Sequence, residues 1–485
     1  MPVIAQDPRH PTLPAPHAWL AVAGTFFTVA WGGNEFTPLL KMYQLNGGWS
    51  TEIVNVLLGA YVLGIIPALL IGGPLSDRYG RRPLMAPAPV FGVLGSAVLA
   101  LGADNPAILF VGRMFSGIAL GLVMAVGTSW IKELSSAPYA PRTDPSAGAR
   151  RASTTLTVGF GLGAAVAGAL VEWGPQPLRT ILPYLVNIAL IIALAIPMYL
   201  RAPETRSRRH TNTPLIVSLK VPKAMHKRFL FVVVPMAPWV FGCAASAYAI
   251  VPNLVAAAVP GYEVAFSALL CLIALSAGVA VQPLAKRLDS PRSARATGVA
   301  LGVTLIGLVL AALTAATLDV WLSLVAAAAL GTAYGLLLVS GLQEVQRIAG
   351  PGDLAGLTAV YYSLTYLGFF IPAVLALLNR YVTYSGMFLG GAVVCLLTLL
   401  VVGLAWSKHL PRVARVITEA ITLPKAGGTG RETTKSKATA EPAATAESAP
   451  AAPAAQSAEA GAAPTPETRT ATAAEAAAPR PEDAR

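Results

Sequence analysis

The segment GPLSDRYGRRP, residues 73–83, places four charged side chains within eleven residues of an otherwise strongly apolar part of the chain. It joins two apolar runs, 52–74 and 83–103, and each is long enough for a helix that crosses a bilayer, which needs about 20 residues. Glycine permits a tight turn, and Asp77 can accept hydrogen bonds from a helix N-terminus or a nearby arginine. The segment therefore predicts a hairpin of two membrane helices whose charged turn can form and break contacts.

The rest of the chain repeats this alternation of long apolar runs and short polar loops. Of its 485 residues, 55% are hydrophobic and 12% are charged, whereas ordinary soluble domains are about 25% charged. The apolar runs are continuous and about twice as long as a barrel strand, which favours helices. Twelve spans are predicted, at 18–40, 52–74, 83–103, 106–131, 152–172, 180–200, 229–252, 264–285, 296–317, 320–343, 354–378 and 385–407.

The distribution of lysine and arginine predicts the orientation. With a cytoplasmic N-terminus, the inner segments carry 24 basic residues and the outer segments carry three, Lys41, Arg179 and Arg380. Cytoplasmic loops are expected to hold such an excess. We therefore predict a multi-pass protein of the plasma membrane, the inner membrane of a bacterium, with both termini cytoplasmic. The net charge of +12 reflects this orientation, and no aromatic-basic module indicates nucleic acid.

Changes in composition predict the domain boundaries. The basic segment 201–228 separates six spans from six, so 18–200 and 229–407 are predicted to form two pseudo-symmetric six-helix bundles of an all-α membrane protein. Residues 1–17 form a polar cytoplasmic segment, and the apolar run after them is too long for a signal peptide, so it should remain as the first span. Residues 408–485, rich in alanine, proline, threonine and glutamate, predict a disordered cytoplasmic tail.

The segment 73–83 also resembles the signature loop of the major facilitator superfamily, G-x-L-x-D-R-x-G-R-[KR]. The resemblance extends over about residues 18–407 and implies a transporter that works by alternating access. It implies a cytoplasmic latch, and the alternative is a basic loop that only fixes topology. The residues assigned to the latch are Gly73, Asp77, Arg78, Gly80, Arg81 and Arg82 in the loop, with Glu133 and Arg151 as a stretched form of the family's E…R pair.

The corresponding loop of the second half, 282–289, repeats this pattern weakly. Pro283, Leu284 and Arg287 align with the first loop, but Gln282 and Lys286 replace its glycine and aspartate. This difference predicts that the stronger latch lies in the first half. Other charges at the inner ends of the spans are expected to form a ring around Asp77, or else to be ordinary solvated charges; they are Glu133, Arg150, Arg151, Glu204, Arg206, Glu344 and Arg347.

Two charges lie within predicted spans. Arg113 begins an R-x-x-x-G pattern similar to the superfamily's helix-4 motif, and a charge in a span is a candidate for function by default. Glu35 lies at nearly the same predicted depth in the first span. The two side chains are predicted to face each other or to share an aqueous cavity, and a change in their pairing would couple transport to proton uptake. A static ion pair, or a solvated Glu35, is the alternative.

The fifth span carries glycines at 159, 161, 163 and 168. This pattern loosely resembles the motif of drug/proton antiporters in the superfamily, but Ala164 and Ala167 stand where that motif has a proline and a glycine. Close helix packing is the alternative explanation.

Polar and aromatic residues within the spans are the candidates for a substrate cavity, since tyrosine and tryptophan can stack on planar or cationic solutes. Each aromatic can instead be a packing or membrane-interface residue. Besides Glu35 and Arg113, the candidates are Asn34, Tyr61, Asn187, Trp239, Tyr248, Tyr334, Tyr362 and Tyr366.

The sequence favours a secondary carrier over the other functional classes. We predict proton-coupled export of a small organic solute, with proton-coupled uptake as the alternative and a transporter-fold receptor or scaffold as a different class. An enzyme is not expected, because all five histidines lie outside the spans. The three cysteines show no metal-binding spacing, and no cofactor or metal is expected. The predicted partners are the solute, protons and the lipid bilayer.

Overall fold

The computed structural model describes residues 17–102, 104–143, 147–205, 221–290, 292–349 and 354–408. The described residues are helical, with no strand among them. Residues 409–485 of the predicted tail, most of the N-terminal segment and the middle of the 201–228 linker lie outside them.

Within the described ranges, six long helices form the first half and six more form the second. The first half contains α1 (Ala18–Gly47), α2 (Thr51–Tyr79), α3 (Arg81–Leu101), α4 (Pro106–Leu134), α5 (Ala147–Trp173) and α6 (Leu182–Arg201). The second half contains α7 (Phe229–Leu254), α8 (Glu263–Leu288), α9 (Arg295–Thr317), α10 (Val320–Ile348), α11 (Leu354–Leu378) and α12 (Tyr384–Leu404).

The predicted helical fold and order of the spans are confirmed. Within the described residues, α2 to α12 are long and apolar enough to cross a membrane. Helix α1 has 30 residues and occupies the predicted first span, but the polar residues Asn34 and Glu35 make it less apolar. It is the twelfth long helix of the described chain.

Several helices continue beyond the apolar runs that predicted them. Helix α2 extends to Tyr79, five residues past the predicted end, and α10 extends to Ile348. Hydropathy marks only the part of a helix that suits the hydrocarbon core, whereas backbone hydrogen bonding continues into the interface. The turn expected over 73–83 is therefore reduced to Gly80, between α2 and α3.

The packing of the second half repeats that of the first. Helix α1 packs along α5 as α7 packs along α11, and α2 packs on α4 as α8 packs on α10. The outer pairs correspond in the same way, since α3 contacts α4 and α6 as α9 contacts α10 and α12. Each helix thus has a counterpart six positions along the chain, which is the predicted pseudo-symmetry.

The two halves meet at the end of the bundle that carries the α1–α2, α5–α6 and α7–α8 loops, here called the opposite end. There Glu172 Oε2 of α5 accepts a hydrogen bond from the backbone N–H of Ala265 at 3.0 Å, and Arg380 lies 3.8 Å from Glu52. The other end, which carries the α2–α3 and α8–α9 loops, is called the basic end. Among the described residues, no extensive packing joins α4 to α10 or α11 there, but α2 packs on the first part of α11, Leu354–Tyr366.

Candidate functional site

The α2–α3 turn at the basic end depends on Gly80. Its φ of +111° belongs to a region that side-chain-bearing residues rarely adopt. A Cβ there would lie 2.7 Å from Oε2 of Glu204. That carboxylate accepts hydrogen bonds from the backbone N–H groups of Arg81 and Arg82 at 2.9 and 2.8 Å. Glu204, beyond α6, thereby caps the exposed N-terminus of α3.

Arg81 is the centre of the charged contacts around this turn. Its guanidinium lies 2.6 Å from Asp77, donates to Ser76 Oγ at 2.5 Å, and lies 2.7 Å from Glu133 of α4. We call Asp77, Arg81 and Glu133 the first-half network. Tyr139 lies beside it, and partial burial, followed by the negative charges of Glu204 and Glu133, raises the pKa of that phenol.

Three other residues assigned to the latch have different surroundings. Arg82 Nη2 donates to the carbonyl of Tyr199 on α6, whereas the guanidinium of Arg78 lies 5.7 Å from the ring of Tyr79. A Cβ on Gly73 would meet no atom within 4 Å. Gly73 lies inside the helical part of α2, so no close approach requires a glycine there in this conformation.

The suggested Glu133–Arg151 pair does not form in this structure, because the carboxylate of Glu133 forms a salt bridge with Arg81 instead. Arg151 instead donates to Ser135 Oγ at 3.0 Å, and its guanidinium stacks on the ring of Trp19 at 4.3 Å.

The second half has a charged network of its own at the basic end. Arg228, at the start of α7, forms a two-pronged contact with Glu344 of α10, at 2.6 and 2.8 Å. Arg347 joins Glu344 at 2.5 Å and Asp289 at 2.7 Å. We call these four residues the second-half network.

This network corrects the expected ring around Asp77. Glu344 and Arg347 pair with residues of their own half, and they lie within α10 instead of after it. In the sequence, Arg228 is one of the 24 basic residues of the predicted inner segments, and its position next to a predicted span gives no sign of burial. In the structure its side chain is 0% exposed.

Glu35 lies inside the first half and is 0% exposed. Its Oε1 accepts from Ser96 Oγ of α3 and from Asn187 Nδ2 of α6, both at 3.4 Å, and Asn187 also donates to Ser96 at 2.9 Å. Its Oε2 has no hydrogen-bond partner, and neither has Oδ1 of Asn187. Buried polar groups are normally paired, so this cluster of three side chains has unused acceptor capacity in an apolar setting.

Arg113 of α4 is 1% exposed, and it contacts α1 and α2. Nη1 is 3.5 Å from the carbonyl of Gly33, and Nε is 3.4 Å from the carbonyl of Leu57. The guanidinium also lies 4.6 Å from the ring of Phe36 and 4.3 Å from that of Tyr61. Arg113 and Glu35 form no direct salt bridge, and each is held by separate neutral groups.

The helix-4 pattern has a second structural role four residues further on. A Cβ on Gly117 would lie 2.0 Å from the carbonyl oxygen of Tyr61. The absence of a side chain at this position lets α4 and α2 come into backbone contact. The same contact brings the Tyr61 ring within reach of Arg113.

An aromatic cluster fills the middle of the molecule where the halves meet. Phe241 of α7 stacks on Tyr366 and Phe369 of α11, with ring centroids at 4.4 and 4.9 Å. Tyr61 of the first half meets Phe369 edge-on at 5.5 Å, and Tyr334 of α10 lies 5.6 Å from Phe241. These five residues are called the aromatic cluster. It includes three predicted tyrosines, while the two phenylalanines were missed because many apolar residues in the spans look alike.

The other residues predicted to line a substrate cavity are not members of the aromatic cluster. Tyr248 lies at the edge of the cluster, 6.4 Å from Phe369, and Tyr362 is half-buried next to Tyr361. Trp239 points to α12, where Nε1 donates to Thr398 at 3.3 Å. Asn34 joins the halves, because Nδ2 donates to the Phe160 carbonyl at 3.1 Å and to Cys271 Sγ of α8 at 3.3 Å.

A profile of the Major Facilitator Superfamily matches residues 20–371, which include both networks and the aromatic cluster. The chain belongs to the major facilitator superfamily. The superfamily and the relatives that match are transporters of small solutes and not enzymes. The glycines of α5 that face α1 pack closely here, with a Cβ on Gly163 only 2.4 Å from the Trp31 carbonyl oxygen.

Curated relatives within the superfamily match over short segments. The 3-(3-hydroxy-phenyl)propionate transporter of Escherichia coli is 34% identical over 97 residues, which are 20% of this chain and 21% of the relative. The bacillibactin exporter of Bacillus subtilis is 28% identical over 103 residues, 20% of this chain and 26% of the relative. Probable inositol transporter 2 of Arabidopsis thaliana is 33% identical over 88 residues, 18% of this chain and 15% of the relative.

Solved structures match over most of the chain and show the same superfamily fold. A POT family transporter in complex with 5-aminolevulinic acid has a TM-score of 0.62 at 13% identity, covering 81% of this chain and 96% of that one. The human organic anion transporter MFSD10 has a TM-score of 0.58 at 17% identity, covering 80% of this chain and 100% of that one.

Proposed function

We propose that the protein is a proton-coupled exporter of a small organic solute in a bacterial plasma membrane. Its basic end would face the cytoplasm, as the excess of lysine and arginine there suggests. Packing between the halves at the opposite end, together with the lack of extensive packing between α4 and α10 or α11 at the basic end among the described residues, supports a conformation that faces the cytoplasm. During alternating access, the packing between the halves would then move from the opposite end to the basic end. The latch residues of the first half would hold or release the α2–α3 turn during this change.

The observation that carries proton coupling is the isolation of the Glu35 carboxyl group. It is fully buried, has no salt bridge, and leaves Oε2 without a donor. An ionised carboxylate without a partner is very unfavourable in an apolar setting, so this conformation favours the neutral, protonated acid. Oδ1 of Asn187, in the same cluster of side chains, also lacks a donor.

The proposed link from this proton to the solute runs through α1. The carbonyl of Gly33, two residues before Glu35, faces the guanidinium of Arg113 at 3.5 Å, and Arg113 lies 4.3 Å from the Tyr61 ring of the aromatic cluster. Loss of the proton would leave Glu35 negatively charged near Arg113, which has no salt bridge. Attraction between these two charges would then draw α1 and α4 together. Such a movement changes the cluster at the junction of the two halves.

The aromatic cluster supports a planar or cationic apolar solute. The same apolar, aromatic character, with a single carboxylate nearby, favours export over uptake of a polyol or sugar. Two of the curated relatives differ in this respect, since one is named an exporter and another an inositol transporter. Proton-coupled uptake is therefore the alternative that the experiment must separate from export.

The test uses the full chain in liposomes with an imposed pH gradient, after a thermal-shift screen of aromatic and cationic solutes. Solute-dependent proton flux is expected for the native chain, with the solute moving against the proton. The variant Glu35→Gln should lose coupling but retain solute exchange, because glutamine mimics the protonated acid. The matched control is Glu263→Gln, at the start of α8 and outside the first half, which should keep coupling.

Three results would contradict the proposal. Full coupling in Glu35→Gln would remove Glu35 from the mechanism. Movement of solute and proton in the same direction would favour uptake. A solute that binds but never crosses the bilayer would point to a receptor or scaffold.

A further inference from the structure

A cavity of about 440 Å³ opens at the basic end between the beginnings of α1 and α5. Trp19 of α1 forms part of its wall, and Arg150, Arg151 and Thr154 line it from α5. The Glu35 cluster and the aromatic cluster contribute no residue to it. Its chemistry, two arginines with hydroxyl groups beside an indole, therefore needs an explanation apart from solute transport.

The guanidinium of Arg151 is fixed in place but has no counter-ion among the described residues. It stacks on the Trp19 ring at 4.3 Å and donates to Ser135 Oγ at 3.0 Å, and both partners are neutral. No carboxylate of the described residues forms a salt bridge with it. Arginine binds phosphate and carboxylate oxygens with paired N–H donors, so a preoriented guanidinium in an open cavity is suited to an anion.

The face of α5 that leads away from the cavity is apolar and exposed. Arg150, Thr154, Val158 and Leu162 follow one another at intervals of four residues, so they form one continuous row of neighbouring side chains that winds along the helix surface. Val158 and Leu162 are both 43% exposed, and they lie about 12 and 18 Å along the axis from Arg150. A cationic cavity at the membrane surface, followed by an apolar stripe of this length, matches an anionic head group with an attached acyl chain.

We propose that this cavity binds the phosphate of an anionic phospholipid in the leaflet at the basic end. The phosphate oxygens contact Arg150, Arg151 and the Thr154 hydroxyl, and an acyl chain follows Val158 and Leu162. Basic pockets between membrane helices are suited to anionic head groups, and tryptophan favours the depth of the head groups. Free phosphate offers the same oxygens, but it leaves the apolar stripe unexplained.

The experiment measures lipid retention on the full chain by native mass spectrometry. Phosphatidylglycerol and phosphatidylcholine with identical chains are added to delipidated protein at equal concentrations. The double variant Arg150→Gln/Arg151→Gln is compared with Lys286→Gln/Arg287→Gln, an adjacent exposed basic pair at the same end of the second half. We expect the preference for phosphatidylglycerol to fall at least tenfold in the first variant and to persist in the second.

Two milder variants keep the test decisive if the double variant does not fold. Thr154→Val removes a hydroxyl group at nearly constant shape, and Leu162→Asn makes the stripe polar. Each should weaken phosphatidylglycerol retention several-fold, and inorganic phosphate alone should not stabilise the protein against heat. An equal loss in the Lys286/Arg287 control, or unchanged retention in all the α5 variants, would overturn the proposal. Stabilisation by inorganic phosphate that Leu162→Asn leaves intact would identify a site for free phosphate and would also overturn it.

Discussion

Each half has a charged network of its own at the basic end. The two networks occupy equivalent places in the halves, but they differ in burial. In the first-half network the side chains of Asp77 and Glu133 are 55% and 34% exposed, and only Arg81 is largely covered. In the second-half network Arg228 is 0% exposed and Glu344 is 4% exposed. The other pair of that network, Arg347 and Asp289, is 12% and 30% exposed, much like Arg81 and Glu133. The half with the degenerate signature thus differs by the buried Arg228–Glu344 pair, which the half with the superfamily signature lacks among the described residues.

This difference separates a contact that can be exchanged from one that is structural. Exposed ion pairs typically contribute about 0–1 kcal/mol, so the Asp77–Arg81 pair can open at low free-energy cost. Breaking a buried pair by removing one partner costs about 3–5 kcal/mol, because a charge remains buried without its counter-ion. We therefore expect the first half to supply a conformational latch and the second half a fixed clasp between α7 and α10.

The largest effect is expected from Glu344→Gln, which leaves Arg228 buried without a carboxylate. The free energy of unfolding should fall by about 3–5 kcal/mol, measured by thermal unfolding and by recovery of monodisperse protein in detergent. The compensated variant Arg228→Met/Glu344→Leu should recover much of the loss, because no charge of the pair then remains buried. A loss no larger than that of Asp77→Asn would contradict the contrast between the two networks.

An intermediate effect is expected at Gly80 and not at Gly73, although the signature treats the two glycines alike. Gly80→Ala forces a side chain into a left-handed conformation against Glu204 and should destabilise the fold by about 1–3 kcal/mol. Gly73→Ala lies in an open part of α2, where alanine favours the helix by up to about 1 kcal/mol. Thermal unfolding of both variants checks this. Equal destabilisation would mean that Gly73 makes a close contact in another conformation.

The smallest effect on stability is expected from Asp77→Asn, at about 1 kcal/mol or less, with a clear loss of transport. Unfolding measurements give the first quantity and solute-driven proton flux in liposomes gives the second. Arg287→Gln, at the equivalent loop of the second half, serves as the control and should change neither. Unchanged flux in Asp77→Asn would reduce the first-half network to a loop that only fixes topology.

The sequence predicted much of the fold because the bilayer acts on each helix separately. Each span had to be apolar over about 20 residues, and this property is local and readable for eleven of the twelve helices. Depth along a helix was equally readable, and it placed Glu35 and Arg113 within their spans at nearly the same depth. The helix ends were less predictable, since α2 continues through 73–79 as a polar helix.

The site depended on which face of each helix meets which neighbour. Glu35 was predicted at the depth of Arg113, yet its carboxyl group contacts Ser96 and Asn187 while Arg113 contacts backbone carbonyls. Nothing in the sequence distinguished Phe241 from other apolar residues or Arg228 from other inner charges.

The sequence by itself determined the helical membrane fold, the order of the spans, and the presence of a charged turn between the second and third spans, because each depends on residues close together along the chain. Only the tertiary structure decided the partner of Glu133, the burial of Arg228 and the membership of the aromatic cluster. Those features join residues more than 50 positions apart, and helix rotation and packing, which hydropathy does not encode, bring such residues together.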